Sequence, residues 1–324
     1  MREMENIGLN WKMILKPHMD EIKKQNENIN VESLFAPLIS MLNSNRIPSK
    51  VMISDSNVVG YSYILPAMGI RDRNIASMGF LRDEDSNKER GKIILEWLEG
   101  ETKKEDKLLI LDGLYNISSL EGSIIAMGYK KSDRIKLIGN IDEILERISN
   151  SEFKDVEMST EVIHSSEVNP AAISEVQYQA YSSSPDKVLL ILENGKNITF
   201  ETLLSGYYGK ILSSSSIVLV NSDGILGSIT ISDGSDEITQ RGIPLIVDFF
   251  TCNNYRTMGY GLFILKKSLE SLKLLGYKNV QLWVNRRSDA YNYYLKRGFK
   301  PTDEENTTYW KDFRLLNNGH NKST

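Results

Sequence analysis

The pattern of apolar and polar positions changes period along the chain. Residues 11–24 and 31–42 repeat apolar positions at helical spacing, with Asn30 placed to cap the second helix and Pro37 inside it as a kink. Residues 51–54 and 58–65 read as strands around the turn Asp55-Ser56-Asn57. A strand over 75–82, a helix over 87–98, a strand over 108–111 and a helix over 118–127 closed by Gly128 follow. A short helix is expected at 141–148. Further on, Asn169-Pro170 opens a helix to Tyr181, Ser182-Ser183-Ser184-Pro185 breaks it, and a helix is expected at 199–206. Residues 217–220 and 225–231 form a hairpin around Ser222-Asp223-Gly224, and 232–241 a polar loop. The run 243–250 reads as a buried strand, and Leu262, Leu265, Leu269 and Leu272 as one helix face ending at Gly276. Val280, Leu282 and Val284 alternate as a strand, and Ser288 starts a short helix that ends at Gly298. Interleaved strands and helices of this kind predict an α/β or α+β fold with a mixed sheet.

The order of elements occurs twice. Val58-Val59-Gly60-Tyr61-Ser62-Tyr63-Ile64 parallels Ile225-Leu226-Gly227-Ser228-Ile229-Thr230-Ile231. Ala126-Met127-Gly128-Tyr129-Lys130 parallels Lys296-Arg297-Gly298-Phe299-Lys300, and Arg90 parallels Arg256. The offsets, 166 to 170 residues, keep order and spacing, which is the mark of two copies of one fold. The expected division is 1–150 and 151–316, with the join near the polar stretch 150–159 and a disordered tail at 317–324.

Composition narrows the function classes. With 324 residues, 40% apolar and 25% charged, the chain is globular and long enough for two domains. A net charge of −4 argues against nucleic acid as the main partner. The single cysteine, Cys252, allows no internal disulfide, and His18, His164 and His320 have no metal-ligand spacing, so no metal is expected. No apolar run spans a membrane and the opening residues lack a signal-peptide core, so a cytoplasmic location is expected.

Candidate chemistry sits in one stretch of the second copy, Asn253-Asn254-Tyr255-Arg256-Thr257-Met258-Gly259-Tyr260-Gly261, at a strand-to-helix turn. A helix N-terminus binds phosphate through its free N–H groups, and glycines let the backbone approach closely. Arg256 adds positive charge beside them. Downstream lies Ala290-x-x-x-Tyr294-x-x-x-Gly298-Phe299. The order strand, Arg-x-x-Gly-x-Gly, helix, strand, Ala-x-x-x-Tyr-x-x-x-Gly-Phe resembles the GCN5-related N-acetyltransferase (GNAT) superfamily, most specifically over residues 215–313.

The resemblance implies two tandem GNAT-like domains, each a mixed, mostly antiparallel sheet flanked by helices. It implies acetyl-CoA as co-substrate, with the pyrophosphate on the N–H groups of Thr257, Met258, Gly259, Tyr260, Gly261 and Leu262. The pantetheine arm would lie along Phe249, Phe250 and Thr251, and Ser288 stands where the family usually offers an Asn to the cofactor. Tyr294 matches the tyrosine that protonates the departing thiolate. Asp248, in an apolar strand, is the candidate base; an aspartate held by backbone or by Arg241, with ordered water as base, is the alternative. Leu203 to Gly209, with Tyr207 and Tyr208, is a candidate substrate-side segment or a packed loop. Ile93, Leu95 and Ile124 of the first copy stand opposite Gly259, Gly261 and Tyr294, as in tandem members with one worn copy such as mycothiol synthase-like proteins. Two functions follow: transfer of an acetyl group to a primary amine of a small molecule or protein, by a monomer or homodimer, or silent binding of an acyl-CoA or a partner.

Overall fold

The computed structural model describes residues 2–3, 9–25, 30–66, 73–81, 87–149, 156, 159–181, 209–234 and 242–314. The helix expected at 199–206, Tyr207, Tyr208, Arg241, most of the loop 232–241 and the tail from 317 lie outside them. The chain forms two compact units, Met1–Ser132 with Thr307–Thr324, and Asp133–Asn306. The divisions fall inside two strands, β6 (Lys130–Asn140) and β12 (Lys300–Asp312), rather than at the 150/151 join suggested by composition. Polar loop residues mark where a chain turns. Compactness follows from which sheet a strand's backbone joins.

In the first unit, α1 (Trp11–Gln25) and α2 (Val31–Asn43) close over the hairpin of β2 (Ser49–Ser54) and β3 (Asn57–Pro66) through Trp11, Leu15, Leu42 and Tyr61. Asn30 caps α2 as expected, accepting from Ser33 N at 3.1 Å. β4 (Arg73–Phe80) then runs antiparallel to β3 and parallel to β5 (Leu108–Tyr115), with α3 (Asn87–Lys103) as the crossover. The expected helix at 118–127 is a 3-10 turn, Ser118–Leu120, followed by α4 (Glu121–Ala126). With β1 (Arg2–Glu3), the strand order is β1-β2-β3-β4-β5-β12.

The second unit repeats the plan. After α5 (Ile141–Ser149), β7 (Glu161–His164) and α6 (Pro170–Ala180) come the antiparallel strands β8 (Ile217–Asn221), β9 (Gly224–Ser232) and β10 (Leu245–Thr251). Helix α7 (Tyr260–Leu274) crosses to β11 (Asn279–Asn285), parallel to β10, and α8 (Asp289–Lys296) leads into β12. The order is β12-β6-β11-β10-β9-β8-β7. One core joins Ile141, Ile144 and Ile148 of α5 to Leu265, Leu269 and Leu272 of α7 and to Phe299; a smaller one sets Ile173 and Ala180 of α6 on Val218 and Phe250.

The duplication extends to detail. The short helix of each copy ends in a left-handed glycine, Gly128 (φ 87°) or Gly298 (φ 99°). The next aromatic donates its N–H back to the same helical position, Tyr129 to Ile124 O at 3.3 Å and Phe299 to Tyr294 O at 3.2 Å. Ile124 is buried in the core of the first unit, and its counterpart Tyr294 is buried in the core of the second. Strands β6 and β12 escaped the periodicity because their chemistry hides it. Lys130 to Arg134 and Lys300 to Asn306 are rich in charge, and backbone pairing, not an apolar face, holds them in the sheet.

Candidate active site

The parallel strands of the two copies part differently. In the first unit the β4–β5 ladder continues from Arg73↔Leu108 to Gly79↔Tyr115, with one irregularity between Ala76 and Met78. In the second, β10 pairs with β11 only at Leu245↔Gln281 and Ile246↔Leu282, among the described residues. A bulge between Ile246 and Asp248 follows, while β10 stays on β9 as far as Thr251↔Gly227. The C-terminal half of β10 is therefore an open strand edge. Backbone groups of an antiparallel strand point alternately to its two sides. Cys252 N donates to Leu226 O of β9 at 2.8 Å. By alternation Phe249 and Thr251 aim their N–H and C=O at the gap, and both carbonyls do accept from groups other than β9: Phe249 O from Tyr181 Oη at 3.3 Å and Thr251 O from Arg256 Nε at 3.4 Å.

The gap leads to the N-terminus of α7, which no side chain among the described residues caps. Gly259 holds the cap position with φ 88°, and Thr257 also lies in the left-handed region at φ 66°, a conformation unfavourable for a branched side chain. A Cβ at Gly259 would meet nothing within 4 Å, so this glycine is required by backbone conformation. A Cβ at Gly261 would lie 2.9 Å from Thr251 Oγ1, so this one is required by close packing of helix on strand. Met258 is exposed, and Tyr260 and Leu262 pack partly into the core, Tyr260 edge-on to Tyr255 with centroids 5.7 Å apart. Arg256 donates to Thr251 O and, through its guanidinium, to Ala180 O at the end of α6, and so ties the loop to that helix. Ser288 occupies the N-cap position of α8, but its Oγ donates to Asn285 O at 2.7 Å and does not cap the helix.

Beside the gap stands a cluster that joins distant parts of the sequence. Phe250 faces α6, while Phe249 lies against Tyr293 and Tyr294 of α8 at centroid distances of 6.3 and 6.4 Å. Asp248 is 7% exposed and accepts a 2.8 Å hydrogen bond on Oδ1 from Tyr181 Oη; Oδ2 has no hydrogen-bond partner among the described residues. Burial pushes the Asp248 carboxyl up to about 6, with the Tyr181 and Gln177 side chains pulling it back. Burial also raises Tyr294, and the neighbouring Tyr293 and Asp248 add to the rise. At neutral pH the site thus holds a mostly ionised carboxylate and a protonated phenol within electrostatic reach of each other. Tyr293, pushed up to about 12 by burial, lies under the Arg297 guanidinium at 4.3 Å.

Sequence reading missed Tyr181. It marked the end of a helix, and nothing local in the chain signals that it meets an aspartate 67 positions later. Cys252 gives its thiol to Ile225 O at 3.0 Å. Among the described residues no three His, Cys, Asp or Glu side chains are placed to hold a metal ion.

No family model matches the chain, and no curated protein matches it by sequence. Among solved structures it is similar to GCN5-related N-acetyltransferases, a tandem one among them. A GCN5-related N-acetyltransferase from Sphaerobacter thermophilus is 14% identical, with a TM-score of 0.47 over 82% of this chain and 81% of that one. A tandem GNAT protein from the clavulanic acid biosynthesis pathway is 15% identical, with a TM-score of 0.42 over 84% of this chain and 87% of that one. A protein of unknown function from Staphylococcus epidermidis is 11% identical, with a TM-score of 0.49 over 81% and 93%. These are likenesses of fold; the functional reading rests on the geometry of the site.

Proposed function

We propose that the second unit is an acetyl-CoA-dependent N-acetyltransferase acting on a primary amine of a small molecule or a protein. The observation that carries this reading is the parting of β10 from β11 onto an uncapped, glycine-led helix N-terminus, with Asp248 and Tyr294 beside the opening. The residues fit the co-substrate: a phosphate group suits the first N–H groups of α7, and an amide-bearing arm suits the open edge at Phe249 and Thr251. There an N–H of the edge can stabilise a developing oxyanion.

In the proposed reaction the amine nitrogen attacks the thioester carbonyl, the C–S bond breaks, and the thiolate leaves as a thiol. Asp248 takes the proton that the acceptor loses, since a carboxylate near pKa 6 is ionised at neutral pH and still basic enough to act. Tyr294 supplies the proton to sulfur, since its raised pKa keeps the phenol protonated. The first unit carries no such site in this reading. Its parallel ladder is closed, and Leu95 and Ile124 are fully buried core residues. The test is steady-state turnover of acetyl-CoA against a panel of primary amines, with mass spectrometry of the purified protein for bound CoA. Turnover supports the transferase; CoA binding with no turnover across the panel supports the silent acyl-CoA-binding alternative.

A further inference from the structure

Asp248 and Thr230 are directly opposed on β10 and β9. Residues so paired share one face of the sheet. Both are buried, and Asp248 Oδ2 and Thr230 Oγ1 have no hydrogen-bond partner among the described residues. Two such atoms on adjacent strands are costly unless something completes them, because each has given up hydration without replacement. The other carboxylate oxygen is committed: Tyr181 donates to Oδ1 at 2.8 Å and is itself buried against Phe250. The phenol, with the Gln177 side chain also acting on the carboxyl, holds Asp248 with Oδ2 left to accept, on the strand face it shares with Thr230.

Resting on the transferase reading, we propose that Asp248 Oδ2 and Thr230 Oγ1 form the polar seat for the acceptor's amino group, bound as a cation, and that Tyr181 is the positioning residue that reserves Oδ2 for it. An ammonium group has three donors and no acceptor, which matches two acceptor oxygens, one of them charged. A neutral alcohol of the same shape lacks both the charge and the extra donors. Of the titratable groups near Asp248, Tyr181, at the C-terminal cap of α6, is hydrogen-bonded to it, and Tyr294 of α8 interacts with it electrostatically.

The test uses the full chain, with n-butylamine as acceptor probe and n-butanol as its neutral control. Thr230→Val keeps the shape and removes the hydroxyl; the KM for n-butylamine should rise at least about fivefold, with the KM for acetyl-CoA unchanged. Tyr181→Phe should lower kcat/KM for the amine by about tenfold or more, and should move the acid limb of its pH profile to higher pH, because a carboxylate that loses a donor is a stronger base. A limb that does not move, or a loss shared equally by the acetyl-CoA KM, would overturn the positioning role. A second measurement needs no turnover: the carboxyl carbon resonance of Asp248 in carboxyl-labelled protein, assigned with Asp248→Asn. Its titration should move up in Tyr181→Phe, and n-butylammonium, but not n-butanol, should shift it in the wild type when CoA is present. An Asp248 signal indifferent to n-butylammonium would overturn the seat whether or not the protein is a transferase. The same signal responding in a protein with no turnover would sustain the seat and reject the transferase reading.

Discussion

At the residue scale, Tyr294 and Asp248 make separate, testable contributions. Tyr294→Phe keeps the ring that packs on Phe249 and Phe299, so the fold should survive. If the hydroxyl protonates the leaving group, kcat should fall at least about tenfold, or about 1.4 kcal/mol in the barrier, with the acetyl-CoA KM little changed. Steady-state kinetics of the two proteins decide this; equal kcat values with chemistry rate-limiting would leave Tyr294 as a packing residue. For Asp248 the folded pKa, about 6, lies above the ordinary carboxylate value of 3.8. The native state therefore holds the proton more tightly than the unfolded chain. Its contribution to stability is fully present below the unfolded value and is lost as pH rises through about 6, by about 3 kcal/mol in total. Asp248→Asn cannot ionise. Relative to wild type it should gain stability between pH 4 and pH 8, measured by denaturant unfolding at both; a difference independent of pH would mean that the carboxyl is not held as described.

At the scale of elements, the two glycines of the turn should behave differently. Gly261→Val would drive a side chain into Thr251 Oγ1, where α7 lies close to β10. CoA affinity, read by calorimetry, should be lost together with some thermal stability. Gly259→Val meets open space and adds only the cost of a left-handed backbone, about 1–2 kcal/mol for a non-glycine residue. The turn should relax away from φ 88° and CoA affinity should fall, with a smaller change in the thermal transition than for Gly261→Val. Unchanged CoA binding in both variants would reduce the turn to a plain helix start.

At the scale of the whole molecule, the units are not the contiguous halves that the repeat suggests. A fragment starting at residue 151 lacks β6, which pairs with β11 from Asn279↔Asn140 to Asn285↔Arg134, and lacks Ile141, Ile144 and Ile148 of the core. It should be insoluble or unfolded by circular dichroism. A chain cut after Asn306 lacks the strand that pairs with β5 from Tyr309↔Leu111 to Asp312↔Leu108, and lacks Tyr309 and Phe313 of the first unit's core. Its first unit should lose its cooperative transition. In the intact chain, calorimetry should give one CoA per chain, since only the second unit has the parted strands.

The sequence alone determined most of the elements, though not β6, β7 or β12, and with them the duplication and the glycine turn, because each is written in local terms: apolar period, caps, and residues whose backbone freedom is needed where they stand. It also singled out Asp248, because an acidic residue within an apolar strand is anomalous wherever the strand lies. It did not disclose that Arg256 ties down α6, nor that Ser288 serves Asn285, since a side chain's partner is chosen by what folding brings near. Tyr181, Thr230 and the exchange of strands at β6 and β12 were equally closed to it. Those depend on pairing between residues far apart in the chain, and backbone hydrogen bonds carry no residue-specific pattern. Tertiary structure alone decided that β10 would part from β11 in one copy and stay zipped in the other, and the candidate site exists because of that parting.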